Sequence, residues 1–241
     1  MRLFDGSQKW NQDAHEAVLD VDVGVRDHQQ CADAVMRLRA EYLFAAGRES
    51  EICFRATNGA GLPWVSWKAG QRPHVSGKRI EWRRAGPADG SWTDFRKYLD
   101  FVFVYAGTWS LQRQLATVKD IAQIQAGDVF IQGGFPGHAV VVVDVAQDDQ
   151  GQRAFLLAQS YMPAQDIHVL KNPGSKSPWY PVRSEKRLVT PEWVFEPPRL
   201  MRFPDGEGCA AVSGEQSKKD RATRGDTRSA SYRSGTSDRP R

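Results

Sequence analysis

The chain of 241 residues has few cysteines and no long apolar run. Its three cysteines are an odd number and match no zinc-binding spacing, which argues against a disulfide framework and a structural zinc site. The first residues lack the apolar stretch of a secretory signal peptide, and no segment approaches the length that crosses a membrane. We therefore expect a soluble chain that carries no export signal and does not insert into a membrane.

The sequence also lacks a strong excess of either charge. It has 33 Lys and Arg residues against 29 Asp and Glu residues, which gives a formal net charge of +4. The basic residues are dispersed among the acidic ones and form no stripe interleaved with aromatic residues, so we do not expect a nucleic-acid partner. A weakly positive surface suits an anionic polymer such as a cell wall, but charge alone does not select that partner.

Large apolar residues are nearly absent after Phe203. Residues 204–241 consist mainly of Gly, Ser, Thr, Asp, Lys and Arg, with Val212 and Tyr232 as the sizeable apolar side chains. Such a segment buries too little surface to offset the entropy lost on ordering. We predict one domain over residues 1–203 and a disordered polar tail over 204–241, whose removal leaves the thermal unfolding midpoint nearly unchanged.

The part before the tail contains the patterns of both helices and strands. Strict alternation predicts a strand at Leu19–Val23, and apolar residues at helical spacing predict a helix from about Gln30 to Ala46. A capping-box-like start at Ser91 begins a second helix with a buried face. An antiparallel meander is predicted from three further strands, Asp128–Gln132, Ala139–Val145 and Arg153–Gln159. This order predicts an α+β fold.

A segment rich in Trp, Gly, Pro and Arg, residues 62–90, interrupts this pattern and is expected to be an irregular insertion. Aromatic residues in and around it could line a groove for a sugar or peptide chain, or form a satellite core beneath the insertion. The satellite core is the preferred interpretation. The residues concerned are Trp64, Trp67, Trp82, Trp92 and the pair Trp179-Tyr180.

Two segments far apart in the chain carry candidate catalytic residues. Cys31 lies at the start of the first predicted helix, and His138 opens an apolar strand after Gly137. Cysteine hydrolases need a thiolate nucleophile and an imidazole that takes its proton, and a helix N-terminus lowers the pKa of a thiol. We therefore hypothesise that Cys31 is the nucleophile and His138 the base. The alternative is that both are inert core residues, as we expect for Cys53.

Neighbouring residues offer the remaining parts of such a site. Gln30 or Gln29 could donate to an oxyanion beside the backbone N–H of Cys31, because negative charge develops on the attacked carbonyl oxygen. A rival base is His168, since Asp166 lies two residues away and could pair with it on a strand.

No cofactor and no metal ion are expected. Four polar residues crowd just before Cys31, but they do not reproduce the acidic spacing of a calcium loop. They are Asp20, Asp22, Asp27 and His28.

Three motifs carry a resemblance to a known enzyme group. They are Gln30-Cys31-x-Asp33, Gly127-Asp128-Val129-Phe130 and Gly137-His138-Ala139-Val140. Together they resemble the CHAP group of amidases and peptidases, which is related to the NlpC/P60 enzymes, over roughly residues 20–165. The resemblance implies a papain-like fold with the nucleophile helix packed on an antiparallel sheet. It implies that Cys31 attacks, that His138 is the base and that Gln159 orients His138.

The resemblance further implies a thiol-dependent hydrolase that acts on amide bonds of cell-wall peptide, at the cell envelope or in the periplasm. A second interpretation of the same fold is a non-catalytic module that binds a peptide or a peptidoglycan-like polymer in a Trp-rich groove. With Tyr105-Ala106-Gly107-Thr108 and Ala158-Gln159-Ser160-Tyr161 added, the set of motifs also resembles a bacterial family described only as a domain of unknown function.

Overall fold

The computed structural model of the protein describes residues 1–206 and residue 209. Most of the polar tail predicted over 204–241 therefore lies outside the described residues. The described residues belong to one contact unit, Met1–Cys209.

Four α-helices are described, and the cap of each longer helix is visible in the sequence. They are α1 (Cys31–Ala45), α2 (Trp64–Lys68), α3 (Trp92–Tyr105) and α4 (Thr108–Gln114). At the start of α1 the backbone N–H of Gln30 donates to the Asp33 carboxylate at 3.0 Å. At the start of α3 the Ser91 hydroxyl accepts from the backbone N–H of Asp94 at 3.2 Å. These contacts satisfy N–H groups that a helix end leaves open, so both helices begin where the sequence predicts.

The described strands are short except for one central pair. They are β1 (His15–Val18), β2 (Cys53–Arg55), β3 (Gly61–Pro63), β4 (Gln71–Ser76), β5 (Arg79–Arg84), β6 (Ala116–Thr117), β7 (Val129–Gln132), β8 (His138–Gln147), β9 (Arg153–Gln159), β10 (His168–Leu170), β11 (Tyr180–Pro181), β12 (Leu188–Val189), β13 (Val194–Phe195) and β14 (Leu200–Arg202).

One antiparallel sheet organises the molecule, in the order β1-β10-β9-β8-β7-β14-β6, with β11 also paired to β9. Its centre is the predicted meander of β7, β8 and β9. The helices and the antiparallel strands confirm a mixed α+β fold. Small two-stranded sheets pair β2 with β3, β4 with β5 and β12 with β13.

Both faces of the central strands are buried, and α1 packs against β8 and β9. Because side chains alternate across a strand, neighbouring residues enter different apolar clusters. Val129 and Val141 belong to the cluster that includes α1 and α3, whereas Phe130 and Val140 belong to a second cluster. The first residue of α1 is thereby held beside the start of β8.

Residues 62–90 are more regular than expected. They contain α2 and the β4–β5 hairpin, which pairs from Gln71 with Arg84 to Ser76 with Arg79. Trp64 and Trp67 of α2 are buried, and their rings lie 5.4 and 5.9 Å from the Tyr98 ring. These two tryptophans therefore belong to the core, as the preferred interpretation expects.

Two further features differ from the sequence expectations, one strand and one disulfide. The predicted strand at Leu19–Val23 is absent, and β1 lies immediately before it. Cys53 and Cys209 form a disulfide with a Cα–Cα distance of 5.4 Å, although the odd number of cysteines argued against a disulfide framework. Cys31 is the remaining free cysteine.

Candidate active site

Cys31 is the first residue of α1, and its sulfur lies against the start of β8. The backbone N–H of Ala139, the residue after His138, lies close enough to the sulfur to lower its pKa, as do the N–H groups of Ala32 and of Cys31 itself. Each of these donors favours the thiolate. The structure therefore brings the two distant candidate segments together at one point of the sheet.

Burial nevertheless dominates the acidity of this thiol. It raises the pKa of Cys31 to about 11, and the charge of Asp33 acts in the same direction. The backbone donors at the helix start act in the opposite direction but do not offset burial. The thiol is therefore protonated at neutral pH, whereas the helix start alone predicts a lowered pKa.

His138 is the first residue of β8 and is buried, with 2% of its surface exposed. Its Nε2 atom lies 2.7 Å from Oε1 of Gln159, the last residue of the neighbouring strand β9. The rings of Tyr161 and Trp193 lie 4.9 and 5.1 Å from the imidazole ring. Burial lowers the pKa of His138 to about 4, so the ring is neutral at neutral pH.

The amide of Gln159 fixes the tautomer of His138. The Nε2 atom of Gln159 donates to Oε2 of Glu192 at 3.1 Å, and a carboxylate only accepts hydrogen bonds. The Gln159 oxygen must therefore face His138, which assigns the ring proton to Nε2 and leaves the lone pair on Nδ1. Nδ1 is the atom available to take a proton.

Ala139 connects the two residues, because its backbone N–H lies beside the Cys31 sulfur and it follows His138 in the chain. In the described part of the chain, no hydrogen bond joins the side chains of Cys31 and His138. A catalytic hydrogen bond in a free enzyme is often longer than in the complex with substrate. The geometry thus supplies a neutral thiol and a neutral imidazole at one site, without a preformed ion pair.

His168 lies on the far side of Gln159 from His138. Its Nδ1 atom donates to the backbone carbonyl of Asp166 at 2.9 Å, and its Nε2 atom is 3.5 Å from Nε2 of Gln159. The Asp166 carboxylate instead accepts from the backbone N–H of Arg2 at 2.6 Å. The carboxylate–imidazole pair that made His168 a rival base is therefore not formed. Burial lowers the pKa of His168 to about 4.

The two glutamines before Cys31 have different environments. The Gln30 amide nitrogen donates to the Asp27 carboxylate at 3.2 Å, so one of its two N–H groups is engaged. Gln29 is 1% exposed, and its amide oxygen accepts from the Arg37 guanidinium.

Two residues of this site carry no signal in the sequence patterns. Glu192 lies in the loop between β12 and β13, and its Oε2 atom is 2.5 Å from the Lys9 ammonium. Both side chains are less than one-tenth exposed. The Lys9 ammonium also lies 5.0 Å above the centre of the Tyr161 ring. Both residues are far from the motifs in sequence. Their only sequence signal is an aromatic neighbour, Trp193 after Glu192 and Trp10 after Lys9.

A cavity of about 320 Å³ opens beside this cluster. Lys9, Tyr161 and Glu192 form part of its wall, and the largely exposed Trp10 and Met162 lie at its edge. A ligand in this cavity would contact the residues that surround His138.

In the part of the chain that the structure describes, no group of three His, Cys, Asp or Glu residues is arranged to hold a metal ion. None of the helices over the same residues has the length and apolar character needed to cross a membrane.

A comparison with protein families found a match. The family described as "Domain of unknown function (4846)" matches residues 1–202, which include all of the site residues described above. Comparisons with curated proteins and with solved structures found no match.

Proposed function

The chain belongs to the family described as domain of unknown function (4846), and because that description assigns no chemistry, we propose a function from the site: a thiol-dependent hydrolase of amide bonds. The observation that carries the proposal is the Cys31 sulfur at a helix start, against the strand residue that follows His138. His138 is itself held by Gln159 through Nε2, which assigns the lone pair to Nδ1. A nucleophile, a base and a group that orients the base are the three parts that such catalysis requires.

The proposed reaction begins from neutral partners. Nδ1 of His138 takes the proton of the Cys31 thiol as the sulfur attacks the amide carbonyl carbon. The carbonyl oxygen becomes negative and is stabilised by backbone N–H groups at the start of α1 and by Gln30. The imidazolium returns the proton to the leaving amine, which gives a thioester. Water then gives a proton to His138 and attacks the thioester, which releases the acid and restores the thiol.

Glu192 supplies the charge that Gln159 lacks. During the reaction His138 becomes positive, and a neutral amide alone stabilises an imidazolium weakly. Because Glu192 accepts from the Gln159 amide, it polarises that amide and increases the negative potential at Oε1. The negative charge of Glu192 also favours the protonated form of His138.

The finer assignment of the fold belongs to the same proposal. α1 packs on an antiparallel sheet, His138 opens one central strand, and Gln159 ends the adjacent strand. This order supports a papain-like domain of the CHAP or NlpC/P60 type.

We propose peptide amides, including those of the cell wall, as the substrate class. The cavity beside His138 has an aromatic and partly charged wall of a size that fits a short peptide side chain. The Cys53–Cys209 disulfide supports an oxidising place of action such as the cell envelope, because disulfides persist in such compartments.

A specific observation favours the second candidate, a non-catalytic binding module. The pKa of Cys31 is about 11, which keeps the thiol protonated and weakly nucleophilic unless His138 takes its proton. If His138 does not take the proton, the cavity beside His138 would bind peptide without cleaving it.

Incubation of the full chain with cell-wall peptides, followed by mass spectrometry, separates the two candidates. The hydrolase is expected to release new amino termini and to form a thioester at Cys31 that disappears in Cys31→Ala. Cys31→Ser is the matched variant, because it keeps the shape of the site and has a poorer nucleophile. Binding of peptide without cleavage by the unaltered protein would favour the binding module.

A further inference from the structure

The loop between β7 and β8, residues 133–137, comes directly before the base of the proposed site. β7 ends and β8 begins at the same end of the sheet, because the two strands are antiparallel and Gln132 pairs with His138. β9 is the other neighbour of β8, and it also ends there, in Gln159. The loop therefore lies on one side of His138, and the chain that leaves β9 lies on the other side.

Two side chains of α4 hold this loop. The backbone N–H of Gly133 donates to Oε1 of Gln112 at 2.6 Å, and the Thr108 hydroxyl donates to the carbonyl of Gly134 at 3.2 Å. At Gly137 the packing is so close that an added β-carbon would overlap the Thr108 hydroxyl. Thr108 belongs to a sequence motif that the proposed catalysis does not use, and the structure shows it in contact with the loop at two points.

Phe135 lies in the middle of the loop and is exposed although the backbone around it is held. With 99% of its surface exposed, it packs against nothing in the part of the chain that the structure describes. A large apolar side chain gains free energy when it leaves water, and the described fold does not provide that gain. Because the loop is already held, a ligand that covers the ring does not have to order the loop first. The ring is therefore suited to contact a substrate.

The opposite side of His138 also presents apolar side chains. A single exposed apolar residue is common on a protein surface, but Trp10 and Met162 are largely exposed as well, at the edge of the cavity beside His138. The charged residues in the wall of that cavity, Lys9 and Glu192, are joined at 2.5 Å and leave no unbalanced charge there. A peptide that crosses His138 would therefore meet apolar groups on both sides of the bond to be cleaved.

We propose that Phe135 is a specificity-determining residue, which contacts an apolar side chain of the peptide on the side of the scissile amide away from the cavity beside His138. Thr108 and Gln112 are positioning residues, which act through the loop that carries Phe135. The inference rests on the proposed function and gives it a narrower substrate class. That class is peptides with an apolar residue on each side of the bond that is cleaved.

The first test measures binding to full-length Cys31→Ser, so that the probe stays intact. The probe is an N-acetylated, C-amidated pentapeptide of sequence Ala-Leu-Ala-Leu-Ala, and the NMR signals of the His138 ring report its binding. In this background Phe135→Ala is expected to weaken binding of the leucine peptide by about tenfold, and Phe135→Leu to retain most of it. A matching peptide with glycine in place of both leucines is expected to bind more weakly and to be insensitive to Phe135→Ala.

The control for Phe135 is Tyr42→Ala, which removes an exposed aromatic ring about three turns along α1 from Cys31 and is expected to bind normally. Unchanged affinity of Phe135→Ala for the leucine peptide, or an equal loss for both peptides, would overturn the proposal. No saturable binding of the leucine peptide to Cys31→Ser would overturn the substrate class.

Failure of this inference differs from failure of the proposed hydrolysis. Weaker binding in Phe135→Ala, together with no cleavage of the leucine peptide by the protein that keeps Cys31, would support the contact and reject hydrolysis. Cleavage of the leucine and glycine peptides with equal kcat/KM, unchanged in Phe135→Ala, would support hydrolysis and reject the contact.

The second test concerns Thr108, whose hydroxyl also accepts from the backbone N–H of Gly134 at 3.4 Å. Thr108→Val is expected to speed hydrogen exchange of the Gly134 amide and to weaken binding of the leucine peptide, and Thr108→Ser is expected to restore both. Thr117→Val is the control, because Thr117 is exposed on β6. Faster exchange with unchanged affinity would contradict the positioning role, and unchanged exchange would contradict the hold on the loop. If Thr108→Val does not fold, the Phe135 variants decide the question.

Discussion

At the scale of single residues, Gln159 is the most informative side chain of the molecule. Its oxygen lies 2.7 Å from His138 and its nitrogen 3.1 Å from Glu192, so one amide connects the imidazole to a carboxylate. The resemblance of the sequence motifs to the CHAP group implies this role for Gln159, on the strand after His138. It does not predict Glu192, because a contact across 33 residues leaves no periodic pattern.

The two buried histidines provide the first prediction. His138→Ala should abolish amide hydrolysis, because it removes Nδ1 as the proton acceptor for Cys31. His168→Ala should retain most of the activity, because His168 approaches Gln159 and makes no hydrogen bond to His138 or Cys31. Gln159→Ala should lower kcat by about tenfold to a hundredfold, since it removes one supporting hydrogen bond. The measurement is the release of amine from a peptide substrate, and full activity in His138→Ala would exclude His138 as the base.

Glu192 provides the second prediction, as a positioning residue that acts through Gln159. Glu192→Gln should lower kcat by about tenfold and leave KM nearly unchanged. It should also lower the pKa of His138 further, because the Glu192 charge raises that pKa in the unaltered protein. An NMR titration of the ring signals measures this shift, which a purely structural role would not produce.

The control for Glu192 is Glu185→Gln, which removes an exposed carboxylate. Because Glu192→Gln leaves Lys9 buried without its carboxylate partner, the double variant Lys9→Met/Glu192→Gln separates instability from lost catalysis. An unchanged pKa of His138 in Glu192→Gln would contradict the role given to Glu192; in the double variant the pKa is expected to change less, because the Lys9 charge lowers the pKa of His138 in the unaltered protein.

At the scale of elements, the first turn of α1 sets the acidity of the thiol through opposing effects. The sequence predicts a helix start at Cys31 and therefore a lowered pKa. It does not reveal how deeply that start is buried, because burial depends on strands more than a hundred residues away. In the folded protein burial and Asp33 outweigh the backbone donors.

The third prediction follows from this raised pKa. The rate of Cys31 alkylation by iodoacetamide should keep rising with pH above 9.0, where an ordinary thiol begins to level off. It should be slow at mildly acidic pH, unlike the rate expected for a helix start alone. Asp33→Asn should move the curve to lower pH, because a negative charge near the sulfur disfavours the thiolate.

The control for Asp33 is Asp144→Asn, which removes the same charge from an exposed position on β8. Mass spectrometry of the labelled peptide gives the rate at each pH. A curve for Asp33→Asn that does not move would contradict the part assigned to the Asp33 charge.

The strands show which patterns predict structure and which do not. Alternation and flanking turn residues predict β7, β8 and β9 to within a few residues. The β4–β5 hairpin is missed because Pro73 and Gly77 resemble loop residues. In the structure Gly77 has φ +56° in a two-residue turn, a conformation that favours glycine.

The alternation at Leu19–Val23 fails for a different reason. The backbone N–H of Leu19 still donates to the carbonyl of Ile167 at 2.9 Å, which continues the pairing of β1 with β10 by one residue. The carbonyl of Asp22 then accepts from the Arg37 guanidinium of α1. The Arg37 side chain thus pairs with a carbonyl that a neighbouring strand would otherwise pair with. The local alternation of residues does not predict this contact.

At the scale of the whole molecule, the Cys53–Cys209 disulfide joins β2 to the chain beyond the last strand, across a separation of 156 residues. In the chain-entropy treatment, a cross-link over a loop of this length stabilises the folded state by up to about 5 kcal/mol. Composition alone predicts a dispensable tail after Phe203 because it does not show which cysteines pair.

The fourth prediction compares two shortened chains. A chain that ends at Phe203 loses Cys209 and should unfold at a clearly lower temperature than the full chain. A chain that ends at Cys209 keeps the disulfide and should unfold close to the full chain. Calorimetry with and without a reducing agent measures both, and the reductant should lower the midpoint only where Cys209 is present. Equal midpoints for the two shortened chains would contradict the stabilising part of the disulfide.

The raised pKa of Cys31 has a consequence for the oxidation of the protein. Thiol–disulfide exchange and oxidation to sulfenic acid both proceed through the thiolate, so a thiol that stays protonated at neutral pH reacts slowly in both. While the chain is folded, Cys31 is therefore expected to exchange slowly with the Cys53–Cys209 disulfide. The same burial that makes the nucleophile dependent on His138 keeps it reduced in surroundings oxidising enough to close the disulfide.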